Sequence, residues 1–224
     1  GGPGTGKTTT LNAIISIFEE LGIKTLLAAP TGRAAKRMTE ITGREAKTIH
    51  RMLEVEFQQG DMPVFRRNYR NPIECDAIII DEMSMIDAQL FCSLLDALPL
   101  GCRLIMVGDA DQLPSVGAGN VLHDIIDSNV VPVIRLNRVF RQAMQSLIVT
   151  NAHAIINGEP MMLERKDSDF FFMRQHSPAS AARLIAELYT ERLPAAYGFD
   201  PKTDIQVLCP SRKRQLGTIN LNNI

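Results

Sequence analysis

Three short polar clusters in this sequence have the residue types and spacing that phosphate chemistry needs. The first is Gly1-Gly2-Pro3-Gly4-Thr5-Gly6-Lys7-Thr8, which fits the pattern GxxxxGK[ST]. Glycines let backbone N–H groups turn inward around phosphate oxygens, and a helix starting at Lys7 would offer its positive end to the anion. In such a loop Lys7 reaches the β- and γ-phosphates of a nucleoside triphosphate, and the Thr8 hydroxyl ligates Mg²⁺. Residues Gly2, Pro3, Gly4, Thr5, Gly6, Lys7, Thr8 and Thr9 are the expected nucleotide-binding set. The second cluster, Asp81-Glu82, follows the apolar run Ile78-Ile79-Ile80. Asp81 is expected to hold Mg²⁺ through water, and Glu82 to orient or deprotonate an attacking water. The third, Gly108-Asp109-Ala110-Asp111-Gln112-Leu113-Pro114, follows another apolar run, and Gln112 suits sensing of a γ-phosphate. A fourth segment, Arg135 to Gln142, offers Arg141 as a cation for the charge that develops in phosphoryl transfer.

These residues need a scaffold that delivers strand ends to one edge. Short β-branched runs alternate with longer helical stretches, the pattern of a parallel sheet flanked by helices. Strands are predicted at Lys24–Ala29, Ala77–Ile80, Arg103–Val107 and Val131–Leu136, with later ones at Phe170–Met173 and Ile205–Cys209. Helices are predicted at Lys7–Leu21, Arg33–Ile41, Asp87–Leu98, Asn120–Ile126, Ser146–Ile156 and Ala179–Leu193. Between Val55 and Pro72 the alternation breaks, and Gln58-Gln59-Gly60-Asp61 separates two extended runs as a hairpin turn would. Turns at Asn157–Pro160 and Gly198–Pro201 follow, the second a candidate domain boundary.

Bulk properties narrow the class. The 224 residues are 45% hydrophobic with a net charge of −1. No apolar run approaches the ~20 residues of a membrane span, and a cytoplasmic protein is expected. Four cysteines without a CxxC pair indicate neither zinc nor a disulfide framework. Charge is segregated: residues 31–70 hold nine Lys or Arg against five acids, whereas 71–130 hold ten acids and only Arg103 as a base. Basic segments that share a face would form a track for nucleic acid. A buried strand normally precedes a phosphate-binding loop, so a chain opening on its first glycine reads as a fragment of a longer polypeptide.

Taken in order, the segments resemble superfamily 1 helicases of the 5′-to-3′ branch, the RecD/TraA type. Residues 1–8 resemble motif I, Ala29-Pro30-Thr31-Gly32-Arg33-Ala34-Ala35 motif Ia, Thr48-Ile49-His50-Arg51-Met52-Leu53 the TIHRLL segment, Asp81–Met85 motif II, Gly108–Val116 motif III and Phe140-Arg141-Gln142 motif IV. The resemblance implies a RecA-like α/β ATPase domain over 1–54 and 73–200. It implies a β-hairpin pin at 55–72 and the beginning of a second motor domain at 201–224, without motifs V and VI. It also implies ATP and Mg²⁺ as cofactors and single-stranded DNA and duplex junctions as partners, with nuclease or helicase subunits as further partners. Catalytic roles fall on Lys7, Glu82, Gln112 and Arg141, metal binding on Thr8 and Asp81, and DNA contacts on Pro30, Thr31, Gly32, Arg33, His50, Arg66, Arg67 and Tyr69. A nucleotide-dependent switch or loader that does not unwind processively is the alternative.

Overall fold

The computed structural model describes residues 1–57, 63–140, 144–165 and 167–224. Its centre is a four-stranded parallel sheet of β1 (Thr25–Ala29), β2 (Ala46–Thr48), β5 (Ala77–Ile80) and β6 (Arg103–Met106), in the order β2-β1-β5-β6. The chain steps from β1 outward to β2 through helix α2 (Gly32–Thr42), then crosses to the other side of β1 to lay down β5. That reversal of winding opens a crevice at the carboxyl ends of the strands, where open α/β sheets bind ligands.

β5 explains why the core sits where it does. Its four residues are all buried, with Ile78, Ile79 and Ile80 fully so. Because side chains alternate across a strand, Ile79 packs on one face with Leu11 and Ile15 of α1 (Lys7–Glu20), Leu27 and Met38. Ile78 and Ile80 pack on the other face with Ile49, Leu53, Leu90 and Leu94. The two apolar layers are what a parallel sheet covered by helices on both faces requires.

Helix boundaries follow local chemistry. The Thr31 hydroxyl accepts from Ala34 N–H at 3.2 Å at the start of α2, and Asp87 accepts from Leu90 N–H at 2.8 Å at the start of α4 (Ala88–Ala97). Ser146 does the same for the helix Leu147–Asn157. Gly22 follows α1 with φ 66°, and its successor Ile23 donates to the carbonyl of Phe18 at 2.8 Å, closing the helix end. A four-residue helix, α3 (Ile49–Met52), leads to β3 (Val55–Phe57), which pairs antiparallel with β4 (Pro63–Phe65). The expected turn at 58–61 lies outside the described residues.

Three expected strands are not formed. β6 pairs only with β5, and among the described residues no strand lies beside Val131–Leu136, so that segment has no ladder. Phe170–Met173 and Ile205–Cys209 likewise lack a neighbouring strand. A strand needs a partner for its backbone groups, whatever its own propensity. The predicted helix at 179–193 begins at α7 (Pro178–Glu187) and runs through one wider, five-residue turn at Leu188–Arg192 into α8 (Leu193–Tyr197). Pro194, which has no N–H to donate, accounts for the irregularity. Among the described residues, the remaining α-helices are α5 (Val121–Ser128), α6 (Leu147–Asn157) and α9 (Thr218–Leu221).

The chain divides into two compact units, one of residues 1–162 with 167–170, the other of 163–166 with 171–224. The turn at 198–201 lies inside the second. No helix among the described residues is long and apolar enough to cross a membrane. At the amino ends of β5 and β6, the Cys75 and Cys102 sulfurs lie 3.7 Å apart. Burial, then the neighbouring Cys102 thiol, push Cys75 up to about 12.

Candidate functional site

The carboxyl edge of the sheet opens into a cavity of about 710 Å³. Its floor is the loop Gly2–Thr8, its rim is Asp81, Glu82, Asp109 and Gln112, and its flanks are Arg37 of α2 and Ile155 of α6. Thus Lys7, Thr8, Asp81, Glu82 and Gln112, read from three separate stretches of sequence, meet in one space. Thr9 lies just beyond, on the first turn of α1, and does not line it.

The loop has the conformation its glycines permit. Gly4 and Gly6 adopt φ of 73° and 85°, a region costly for any residue with a Cβ. A Cβ on Gly6 would also come within 2.7 Å of the Phe140 ring. Hydrogen bonds tie the loop to its neighbours: Gly1 N–H donates to Gly108 O at 3.0 Å, and Phe140 N–H donates to Gly4 O at 3.1 Å. Lys7 folds back, its Nζ donating to the carbonyl oxygens of Gly1 and Gly2, the latter at 3.0 Å. The same Nζ lies 3.8 Å from the Asp109 carboxylate, which is almost fully buried and also accepts from Asp111 N–H at 3.2 Å.

At the end of β5, Asp81 accepts from the N–H of Glu82 at 2.9 Å, and Glu82 sits in the left-handed region at φ 56°. A non-glycine residue held there stores backbone strain, which collects at functional sites. Burial first, then the adjacent Asp81, push the Glu82 carboxyl above its usual range, while Lys7 and Arg37 pull it back. Ser84, two residues on, donates to Gln112 Oε1 at 3.4 Å and joins the second cluster to the third. A triphosphate would replace the Lys7 contacts with its own oxygens, and the cavity could accept it. Among the described residues no group of three His, Cys, Asp or Glu could hold a metal by itself. Asp81 and Thr8, which both line the cavity, are the residues that could hold a Mg²⁺ whose remaining ligands are phosphates and waters.

Arg141 lies outside the described residues. Of the expected DNA contacts, Pro30 and Thr31 form the turn between β1 and α2, and Gly32 and Arg33 are the first residues of α2, at the same edge as the cavity. His50 of α3 packs tilted on Phe65 of β4, ring centroids 5.9 Å apart. Arg66 pairs with Glu56 across the β3–β4 hairpin. Arg67 is held within its own loop, Nε donating to Glu54 at 2.9 Å and Nη1 to the Pro72 carbonyl at 3.1 Å. Tyr69 is 67% exposed, and the Arg70 guanidinium lies over its ring at 5.2 Å.

Sequence reasoning missed Arg37, Asp109 and the α6 contribution. Asp109 stood inside a quoted cluster, but its bond to Lys7 had no signal along the chain. His153 of α6 approaches the Pro3 carbonyl at 3.4 Å, and Ala152, Ile155 and Ile156 line the cavity. Apolar residues at helical spacing read as core until the fold shows what they face.

Residues 1–118, more than half the chain and all three clusters, match the family model described as AAA domain. The chain belongs to the AAA domain family. Relatives of this AAA domain protein include proteins named as RecD helicases and helicase subunits. The ATP-dependent RecD2 DNA helicase of Deinococcus radiodurans is 41% identical over 223 residues, covering 99% of this chain and 29% of the relative. The RecBCD enzyme subunit RecD of Mycobacterium tuberculosis is 34% identical over 227 residues, covering 88% of this chain and 38% of the relative. The chain thus spans about a third of the length of these relatives. Among solved structures, Bacteroides Pif1 in complex with ADP-AlF4 matches with a TM-score of 0.51 at 21% identity, over 86% of this chain and 52% of that one. That likeness is one of fold: a RecA-like parallel sheet under a phosphate-binding loop.

Proposed function

We propose that the chain is the first motor domain of an ATP-dependent DNA helicase with 5′-to-3′ polarity, and that residues 201–224 begin the second. The observation that carries the reading is the convergence of Lys7, Thr8, Asp81, Glu82 and Gln112 on one cavity. The loop N–H groups and Lys7 bind the β- and γ-phosphates; Thr8 and Asp81 hold Mg²⁺. Magnesium, when bound, neutralises charge that develops on the phosphate oxygens. Glu82, whose raised pKa makes its carboxylate a stronger base, takes the proton of the attacking water. Gln112, in the loop after β6 and bonded to Ser84, reports the state of the γ-phosphate to the segment after β5. Arg141 supplies a cation to the transition state.

Work on DNA falls to the turn Pro30–Arg33, to His50, and to the hairpin with Arg66, Arg67 and Tyr69. An exposed tyrosine stacked with an arginine resembles the platforms that hold single-stranded bases. Partners in the whole protein are single-stranded DNA and duplex junctions, together with nuclease or helicase subunits such as those the RecD relatives' names imply.

The test is strand displacement by the full polypeptide on a duplex with a 5′ single-stranded tail. DNA-stimulated ATP hydrolysis and unwinding are expected, both lost in Lys7→Ala by about 100-fold or more. ATP hydrolysis without unwinding on either tail polarity would favour a switch or loader. Hydrolysis that survived Lys7→Ala would sink the assignment of the site.

A further inference from the structure

The cavity's charges do not balance. Among the described residues that line it, Lys7 and Arg37 are the cations, against Asp81, Glu82, Asp109 and Asp111. Lys7 already has Asp109 as its counter-ion at 3.8 Å. A nucleoside triphosphate would bring several more negative charges into a space whose net charge is negative. Besides Arg141, which lies outside the described residues, the bound nucleotide needs a cation beyond Lys7 and the metal, and among the described residues Arg37 is the one standing in the wall.

Arg37 is placed by a well-anchored helix. α2 buries Ala35, Met38 and Thr42, is capped by Thr31 at one end and closes on Gly43 at the other, where Gly43 N–H donates to Thr39 O at 2.8 Å. Its neighbour Lys36 pairs with Glu40 at 3.9 Å, whereas among the described residues neither Arg37 nor Arg33 makes an ion pair. Arg33 and Arg37 are four residues apart, so they share one helix face, an unfavourable arrangement for like charges without anions between or beside them. Arg33 belongs to the turn read as a DNA contact, and Arg37 to the nucleotide cavity; about 6 Å of helix separates them.

We propose that Arg37 contacts the γ-phosphate of the bound nucleoside triphosphate and, through the rigid turn of α2 between it and Arg33, couples that phosphate to DNA held at residues 30–33. The inference rests on the ATPase reading above. A guanidinium suits the task because it stays charged and can hold two phosphate oxygens in one plane. Contact with the γ-phosphate alone means that diphosphate binding does not use Arg37. Loss of the phosphate after hydrolysis then frees the guanidinium and loosens the face that meets DNA.

The experiment compares wild type, Arg37→Ala, Arg37→Lys and Lys36→Ala in the full polypeptide. Affinities are measured for fluorescent ADP and for a non-hydrolysable ATP analogue, with and without single-stranded DNA, alongside ATP turnover. In Arg37→Ala, ADP affinity should stay within about twofold, while analogue affinity and DNA-stimulated turnover fall at least about tenfold. DNA should no longer tighten the analogue. Arg37→Lys should recover part of both, and Lys36→Ala should behave as wild type. Equal losses for ADP and the analogue, or wild-type turnover in Arg37→Ala, would overturn the proposal while leaving the ATPase reading intact. A wild-type protein that binds neither nucleotide would overturn the ATPase reading and this inference together.

Discussion

Glu82 carries more of the site's physics than any other single residue. Its backbone is strained at φ 56° and its carboxyl is raised by burial and by Asp81. As the proposed base, it should be dispensable for binding but not for turnover: Glu82→Gln should slow ATP hydrolysis by about 100-fold or more while still retaining nucleotide, checked by single-turnover kinetics and a binding titration. The raised pKa also fixes a sign. The folded chain binds this proton more tightly than the unfolded chain does, so the cost of ionising Glu82 is absent below the ordinary glutamate range. It appears as pH rises through the ordinary and then the raised value, and is fully present above both. Glu82→Gln should therefore melt higher than wild type at pH 8, with the gain vanishing near pH 4. Melting curves at the two pH values decide it, and a gain that grew in acid would contradict the assignment. At this scale Lys7 was legible from its glycine-loop pattern, and Asp81, Glu82 and Gln112 because each sits in a compact polar cluster after an apolar run. Arg37 was not, because a charged residue on an amphipathic helix looks the same whether it faces water or a phosphate.

Elements obey a simpler rule: they were legible wherever the chain itself supplies their partner. The run Ile78–Ile80 reads as a buried strand and is one, with β1 and β6 on either side. Val131–Leu136 is also rich in branched apolar residues but has no ladder among the described residues, because pairing depends on a neighbour that the segment's own residues cannot specify. The helices that start near Thr31, Asp87 and Ser146 were legible in the sequence, whereas the wide turn ahead of Pro194 was not. Two substitutions test these energetics. Ile79→Ala empties space between β5 and α1 and should cost roughly 2–5 kcal/mol in urea denaturation. Thr31→Ala removes the α2 cap and should cost about 1 kcal/mol. If α2 joins nucleotide to DNA as proposed, Thr31→Ala should also weaken DNA stimulation beyond its effect on stability.

The whole molecule is two compact units rather than one core. Each has its own interior: the first holds both apolar layers of the sheet, while the second buries little more than Ala182. Unfolding should therefore depart from a single transition, the second unit melting first, seen as two heat-absorption peaks in calorimetry. One cooperative peak would show that the units stabilise each other. The segregated charge, basic from 31 to 70 and acidic from 71 to 130, serves both tasks: the basic stretch carries the proposed DNA contacts, and the acidic stretch carries Asp81, Glu82 and Asp109. Neutral overall charge concealed that division.

The thiol pair beneath β5 and β6 gives the protein a built-in clock. With Cys75 pushed up to about 12, its thiolate is scarce at pH 8. An alkylating reagent that modifies exposed Cys92 within minutes should label the half-buried Cys75 far more slowly. A labelling rate that climbs in mild denaturant, read by mass spectrometry, would report loosening of the strand starts, on the opposite rim of the sheet from the phosphate loop.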